Sequence, residues 1–224
     1  MSDADPLAKL EEARALIARA AEEAGRAPSE IEIQAVTKTH SAETIRPLLD
    51  AGHRSFGENR VQEAQAKWPA LREAYPDASL SLIGPLQSNK AADAVALFDR
   101  IETVDREKIA RALAEEMDRQ GRPLPVLVQV NIGEEAQKSG VLPKDAVAFA
   151  RRCRDAFGLH VRGLLCIPPL GEPPAPYFAL LDKLADEAGL PERSMGMSSD
   201  YEAAVSLGAT RVRLGSALFG ARGA

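Results

Sequence analysis

The chain has 224 residues, 45% hydrophobic and 27% charged, with a net charge of -5. That length is enough for one large α/β barrel or two small domains, either able to bury a core without disulfides or metal, and no linker divides it. An acidic balance is ill suited to gripping a nucleic acid backbone, and no run approaches the roughly 20 apolar residues that span a bilayer, so neither nucleic acid nor membrane is an expected partner.

The first element is an amphipathic helix from Leu7 to Ala24, within a leading segment of residues 1–28, and it lacks the apolar centre of a signal peptide. It is expected to pack across the barrel bottom or against a partner. Strand-length apolar runs then alternate with helical patterns. In chain order these are strand Ile31 to Lys38, helix Ser41 to Ala51, strand Ser55 to Gly57, helix Asn59 to Ala74, strand Leu80 to Pro85, helix Lys90 to Leu97, strand Arg100 to Val104 and helix Arg106 to Gln120. Strand Pro125 to Asn131, helix Lys144 to Ala156, strand His160 to Ile167, helix Tyr177 to Ala188, strand Arg193 to Met197, helix Asp200 to Leu207 and strand Arg211 to Gly215 follow.

Eight such strands in one unbroken chain point to a closed parallel barrel, a single (β/α)8 TIM-barrel domain over residues 1–224 with an extra N-terminal helix. An open doubly wound sheet would carry a Gly-rich turn after its first strand, and Lys38-Thr39-His40-Ser41 contains no glycine. Cys153 and Cys166 stand in no metal-ligand spacing with His40, His53 or His160 and are too few for a disulfide framework, which suits a reducing, cytoplasmic setting without a metal site.

Barrel chemistry gathers at the carboxyl ends of the strands, with phosphate commonly held by the turns after strands seven and eight. Lys38 closes strand one, so an amine stands at the mouth. After strand seven, Ser199 and Glu202 in Met197-Ser198-Ser199-Asp200-Tyr201-Glu202 have capping-box spacing, which starts a helix with its N–H groups at the mouth. Strand eight ends in Gly215-Ser216, where the glycine admits close backbone approach and the serine adds a hydroxyl and an N–H. Taken singly, these segments are ordinary helix caps, turns and strand ends. Strand alternation puts Arg211 and Arg213 on one face and Val212 and Leu214 on the other. An arginine pointing into the lumen is costly without an acceptor, which argues for a ligand or a paired carboxylate.

Five ordered segments carry a resemblance: Ala35-Val36-Thr37-Lys38, Phe56-Gly57-Glu58-Asn59-Arg60-Val61-Gln62-Glu63, Ile83-Gly84-Pro85-Leu86-Gln87-Ser88-Asn89-Lys90, Met195-Gly196-Met197-Ser198 and Val212-Arg213-Leu214-Gly215-Ser216-Ala217-Leu218-Phe219-Gly220. From strand one to the carboxyl terminus the chain resembles the YggS/PROSC family of pyridoxal phosphate homeostasis proteins. Val130-Asn131-Ile132, Lys138-Ser139-Gly140, Arg162-Gly163-Leu164 and Ile167-Pro168 add family-like segments between the main blocks. The resemblance implies a barrel related to the N-terminal domain of alanine racemases that holds pyridoxal 5'-phosphate (PLP) as a Schiff base on Lys38. Desolvation favours the neutral, nucleophilic form of an amine at the edge of an apolar barrel, which is compatible with that role. By the same resemblance Ser198, Gly215 and Ser216 hold the phosphate, Arg213 faces the pyridine nitrogen, and Asn59 lies near the ring.

A guanidinium at the pyridine nitrogen disfavours a proton there and damps carbanion chemistry. Racemases of this fold add a tyrosine from a carboxyl-terminal domain for which residues up to Ala224 leave no room. The expected function is therefore storage and delivery of PLP, with apo PLP enzymes as recipients and without substantial catalysis. A small PLP-dependent amino-acid racemase using Tyr201 or His40 as its second acid is the alternative, and a phosphosugar-binding barrel fits the bare residues but not the ordered motifs. Lys138 is either a second amine accepting cofactor during transfer or a solvated loop lysine. Where the family shows Trp-His the chain has Leu80-Ser81. Trp68, Met195 and Met197 are expected in the core, His53 and His160 away from the chemistry, and the acidic runs on solvated helix faces.

Overall fold

Residues 5–220 are described by a computed structural model, and the ends of the domain expected over residues 1–224 lie outside them. The chain begins with α1 (Pro6–Glu23), which Pro6 opens at a position needing no N–H while the Asp5 carboxylate accepts from the Leu7 N–H at 3.0 Å. There follow β1 (Glu32–Val36), α2 (Ala42–Asp50), β2 (Ser55–Glu58), α3 (Val61–Ala74), β3 (Ser79–Leu82), α4 (Ala91–Leu97), β4 (Arg100–Val104) and α5 (Glu107–Gln120). The second half comprises β5 (Pro125–Val130), α6 (Pro143–Asp155), β6 (His160–Cys166), α7 (Ala175–Ala188), β7 (Glu192–Met197), α8 (Tyr201–Ser206), β8 (Arg211–Leu214) and α9 (Ser216–Phe219). The eight strands pair in parallel and in sequence order, and β1 pairs with β8 to close the barrel. All eight expected strands are present.

Leu10, Ala13, Ile17, Ala20 and Ala21 share the buried stripe of α1. That stripe packs on α2, α8 and α9, on the barrel's flank rather than across its bottom. The four-residue α9 is too short to cover β8 alone, and α1 completes the outer ring beside it. Arg26 fastens the end of α1 to α8, with Nη1 donating to the carbonyls of Val205 and Ala209, both at 2.8 Å.

Alternation sends Val212 and Leu214 toward the helices and Arg211 and Arg213 into the lumen, all four buried. Instead of the branched apolar layers usual in such barrels, this lumen centres on a carboxylate. Glu102 of β4, with no exposed surface, accepts from Gln34 Nε2 at 2.9 Å, Ser194 Oγ at 2.8 Å and Arg211 Nη1 at 3.1 Å. Burial alone would raise its pKa, but Arg211, Gln34, Arg213 and Ser194 outweigh that and hold it below the ordinary carboxylate value. Arg211 also binds Glu32 at 2.5 Å, and toward the amino ends of the strands Glu192 pairs with Arg100 and with Arg162, the latter at 3.1 Å.

His53, just before β2, is buried with Nε2 donating to the Ser55 carbonyl at 2.8 Å and its ring edge-on to Phe56. Burial pushes its pKa from 6.5 down to about 4.

Two outcomes follow from these buried groups. Replacing Glu102 with leucine leaves Arg211, Ser194 and Gln34 short of an acceptor and is expected to cost about 3–5 kcal/mol in urea unfolding; a loss under about 1 kcal/mol would show the lumen tolerant of its absence. His53 is neutral when folded but binds a proton near 6.5 when unfolded, so stability is full above that pH and falls as the pH drops from 6.5 toward about 4. The total is about 3 kcal/mol, and a His53→Gln variant should lose that part of the pH dependence in urea titrations at successive pH values.

Candidate functional site

At the carboxyl ends of the strands a cavity of about 500 Å³ is lined by Lys38, Asn59, Ser198, Arg213, Gly215 and Ser216. The six residues that the resemblance assigns to the cofactor therefore meet in one place. Val36, His40, Ile83, Met197, Ile167 and Leu170 contribute further wall. A larger cavity of about 670 Å³ lies at the opposite end beside α1, lined by residues including Arg14, His53 and Ser55 and by none of the six.

Lys38 stands two residues beyond the end of β1, because the Thr37 N–H makes one more bond, to the Gly57 carbonyl at 3.0 Å, before Thr39 turns the chain at φ 66°. Asn59 follows β2 in the same manner, ahead of α3 rather than in its first turn. Gly84 fixes it there, since a Cβ at residue 84 would fall on the Asn59 backbone.

Arg213 is 4% exposed, its Nη1 donating to Ser194 Oγ and its Nη2 to the Cys166 carbonyl, both at 2.7 Å. The Ser194 hydroxyl in turn donates to the Glu102 carboxylate, so the guanidinium is tied to that carboxylate beneath the cavity floor. Burial lowers the pKa of Arg213 against the opposing pull of Glu102. Burial raises the Cys166 thiol to about 12, which leaves its backbone carbonyl as the group in use here.

After β7, Gly196 adopts φ 92°, and a Cβ there would lie 2.6 Å from that of Ala204. The chain then turns so that Ser198 Oγ accepts from the N–H groups of Gly215 at 3.3 Å and Ala217 at 3.0 Å. Those donors after β8 thus converge on one oxygen. The expected capping box of Ser199 and Glu202 is not the arrangement found: Asp200 takes the N-cap position of α8, and its carboxylate instead accepts from the Met197 N–H at 2.6 Å. Met195 is core as expected, whereas Met197 is half-buried and forms part of the cavity wall.

Other sequence candidates separate cleanly. His40 reaches the cavity, its ring packed on Phe219 with centroids 4.4 Å apart and its pKa lowered by burial and by Lys67. Tyr201 is buried outside the cavity wall, its phenol raised by burial and by Glu202 and Glu12. Lys138 pairs with Glu135 and donates to the Pro168 carbonyl at 3.2 Å, bracing the loop that carries Ile167 and Leu170 rather than lining the cavity. Leu80 and Ser81 are both buried in β3, Ser81 opposite the lumen-facing Gly57. Trp68 is wholly buried, and its Nε1 donates to Glu58 at 3.1 Å.

Sequence reasoning missed Glu102, Ser194, Glu58 and Lys67. Strand alternation could have signalled Glu102, an acid at the centre of β4 that shares a face with Arg100 and Val104.

The fold and cavity define a (β/α)8 barrel in which an amine, a guanidinium and backbone N–H donors converge at the mouth. Residues 10–223 match the family described as alanine racemase, N-terminal domain. A pyridoxal phosphate homeostasis protein of Pseudomonas aeruginosa is 44% identical over 213 residues, covering 93% of this chain and 92% of the relative. PipY of Synechococcus elongatus PCC7942, solved with PLP bound, superposes with a TM-score of 0.78 at 38% identity, covering 92% of this chain and all of that one. An alanine racemase of Clostridium difficile 630 shares the fold alone, with a TM-score of 0.70 at 16% identity, and this chain spans 57% of its length. The chain belongs to the alanine racemase N-terminal domain family and, within it, to the pyridoxal phosphate homeostasis proteins.

Proposed function

We propose that this protein binds pyridoxal 5'-phosphate at the barrel mouth with Lys38 as the covalent anchor, storing the cofactor and delivering it to apo PLP enzymes in the cytoplasm without substantial turnover of its own. The observation that carries the reading is the convergence of six matching side chains and turns on one cavity. Its volume of about 500 Å³ lies within the usual range of a small-molecule pocket. The solved complex of PipY with PLP supports the choice of ligand.

The donor set suits a phosphorylated aldehyde with a ring nitrogen. The N–H groups of Gly215 and Ala217 converge on Ser198 Oγ, so a phosphate oxygen that takes the place of that hydroxyl oxygen meets two converging donors, with the Ser198 and Ser216 hydroxyls beside them. When bound, the cofactor supplies an aldehyde that reacts reversibly with amines. Arg213 keeps a positive charge beside the ring-nitrogen position, which disfavours protonation there, and Asn59 forms part of the wall near the ring. Lys38 supplies the amine, and an incoming amine that displaces it releases the cargo.

The racemase alternative rests on His40, which lies in the cavity wall. Its ring is packed on Phe219 and its proton affinity is lowered, which makes it a poor acid at neutral pH. Tyr201 lies outside the wall.

Purified protein loaded with PLP should show a chromophore that borohydride fixes, with the label mapping to the Lys38 peptide, and Lys38→Ala should be colourless. A chromophore retained by Lys38→Ala would overturn the anchor. With stoichiometric cofactor in deuterated water, amino acids should show no Cα exchange above free PLP, and appreciable exchange would favour the racemase.

A further inference from the structure

We infer that Lys67 is a positioning residue for Lys38, clamping the backbone on both sides of the anchor amine. This rests on the proposed role of Lys38. Lys67 belongs to α3, and its side chain is 9% exposed. Its ammonium donates to the Thr37 carbonyl at 2.8 Å and the His40 carbonyl at 2.8 Å, and pairs with Glu58 at 2.7 Å and Glu63 at 3.4 Å. Two of its donors are therefore spent on carbonyls that bracket Lys38 and Thr39.

The counter-charges grip the same loop. Glu58, wholly buried at the end of β2, accepts from Thr37 Oγ1 at 2.6 Å, and Glu63 accepts from the Thr39 N–H at 2.5 Å. Thr39 holds φ 66°, a left-handed conformation costing a β-branched residue roughly 1–2 kcal/mol, so the loop needs outside restraint to stay there. One buried cation with two carboxylates provides it. An ammonium is costly to bury, and packing alone would be served as well by an apolar side chain of similar length. What an apolar side chain lacks is the pair of bonds to the Thr37 and His40 carbonyls. These fix where the chain leaves β1 and hence the position from which the Lys38 side chain starts.

The test compares wild type, Lys67→Met and the charge-balanced double variant Glu58→Gln/Lys67→Met, each loaded with PLP. Added semicarbazide is used to strip the chromophore, and the urea midpoint is measured in parallel. Loss of the clamp is expected to speed stripping by about 10- to 100-fold, the scale set by a misplacement of about 1 Å, while the borohydride label stays on Lys38. The double variant, which leaves no unpaired buried charge, should recover stability without recovering the slow rate. Restoration of the wild-type rate together with stability, or a wild-type rate in folded Lys67→Met, would overturn the inference. If Lys67→Met does not fold, the double variant decides by the same rate. A colourless Lys38→Ala beside an unchanged rate removes the clamp alone, whereas a coloured Lys38→Ala removes the anchor on which it rests.

Discussion

Everything at the barrel mouth depends on the pairing of β1 with β8. The register Ile33 to Val212, Gln34 to Arg213 and Ala35 to Leu214 joins the ends of the barrel and leaves the sheet without an edge. It also brings the loop carrying Lys38 and the turn carrying Gly215 and Ser216 together as two walls of one cavity. α1 supports this seam from outside, where the short α9 could not, by packing on α2, α8 and α9 together.

The lumen beneath the mouth is polar where branched apolar residues would be the simpler filling. Its buried ion pairs are a poor route to stability, because desolvation offsets most of their attraction. Their geometric effect is more specific. Glu102 binds Ser194, Ser194 binds Arg213, and Arg213 reaches the cavity floor, so a carboxylate on β4 determines where a guanidinium on β8 can sit. At the loop level Lys67 and Glu58 have a parallel relation to Lys38, with a charged group on one element fixing the backbone of another. The two ends of an elongated ligand would thus meet groups held from below and from behind.

Much of this was legible in the residue order. Alternation of strand and helix patterns gave the barrel, because each period reports local backbone geometry. That Arg211 and Arg213 share a face followed from their two-residue spacing, whereas the choice of the lumen as that face rests on the burial of both. Boundaries were less secure: β1 was expected to run through Lys38 but ends at Val36, where Thr39 turns the chain. The capping box at Ser199 and Glu202 matched in spacing yet failed because the neighbouring Asp200 carboxylate takes the N-cap position and reaches back to Met197. An acidic run reads as a solvated helix face, and that rule says nothing of the single acids Glu58 and Glu102 on strands. Lys67 could not have been found by pattern, since its partners lie on the loop after β1 and its position on α3 resembles that of any polar helix residue. Motif resemblance reached the residues that line the cavity but not those that hold them.

The most direct measurement is a crystal structure of the protein with PLP. Continuous density should run from Lys38 Nζ into the ligand, with the phosphate against the N–H groups of Gly215 and Ser216 and the ring nitrogen beside Arg213. Density for the ligand in the cavity beside α1, or a Lys38 side chain directed into solvent away from the closing turns, would contradict the central claim.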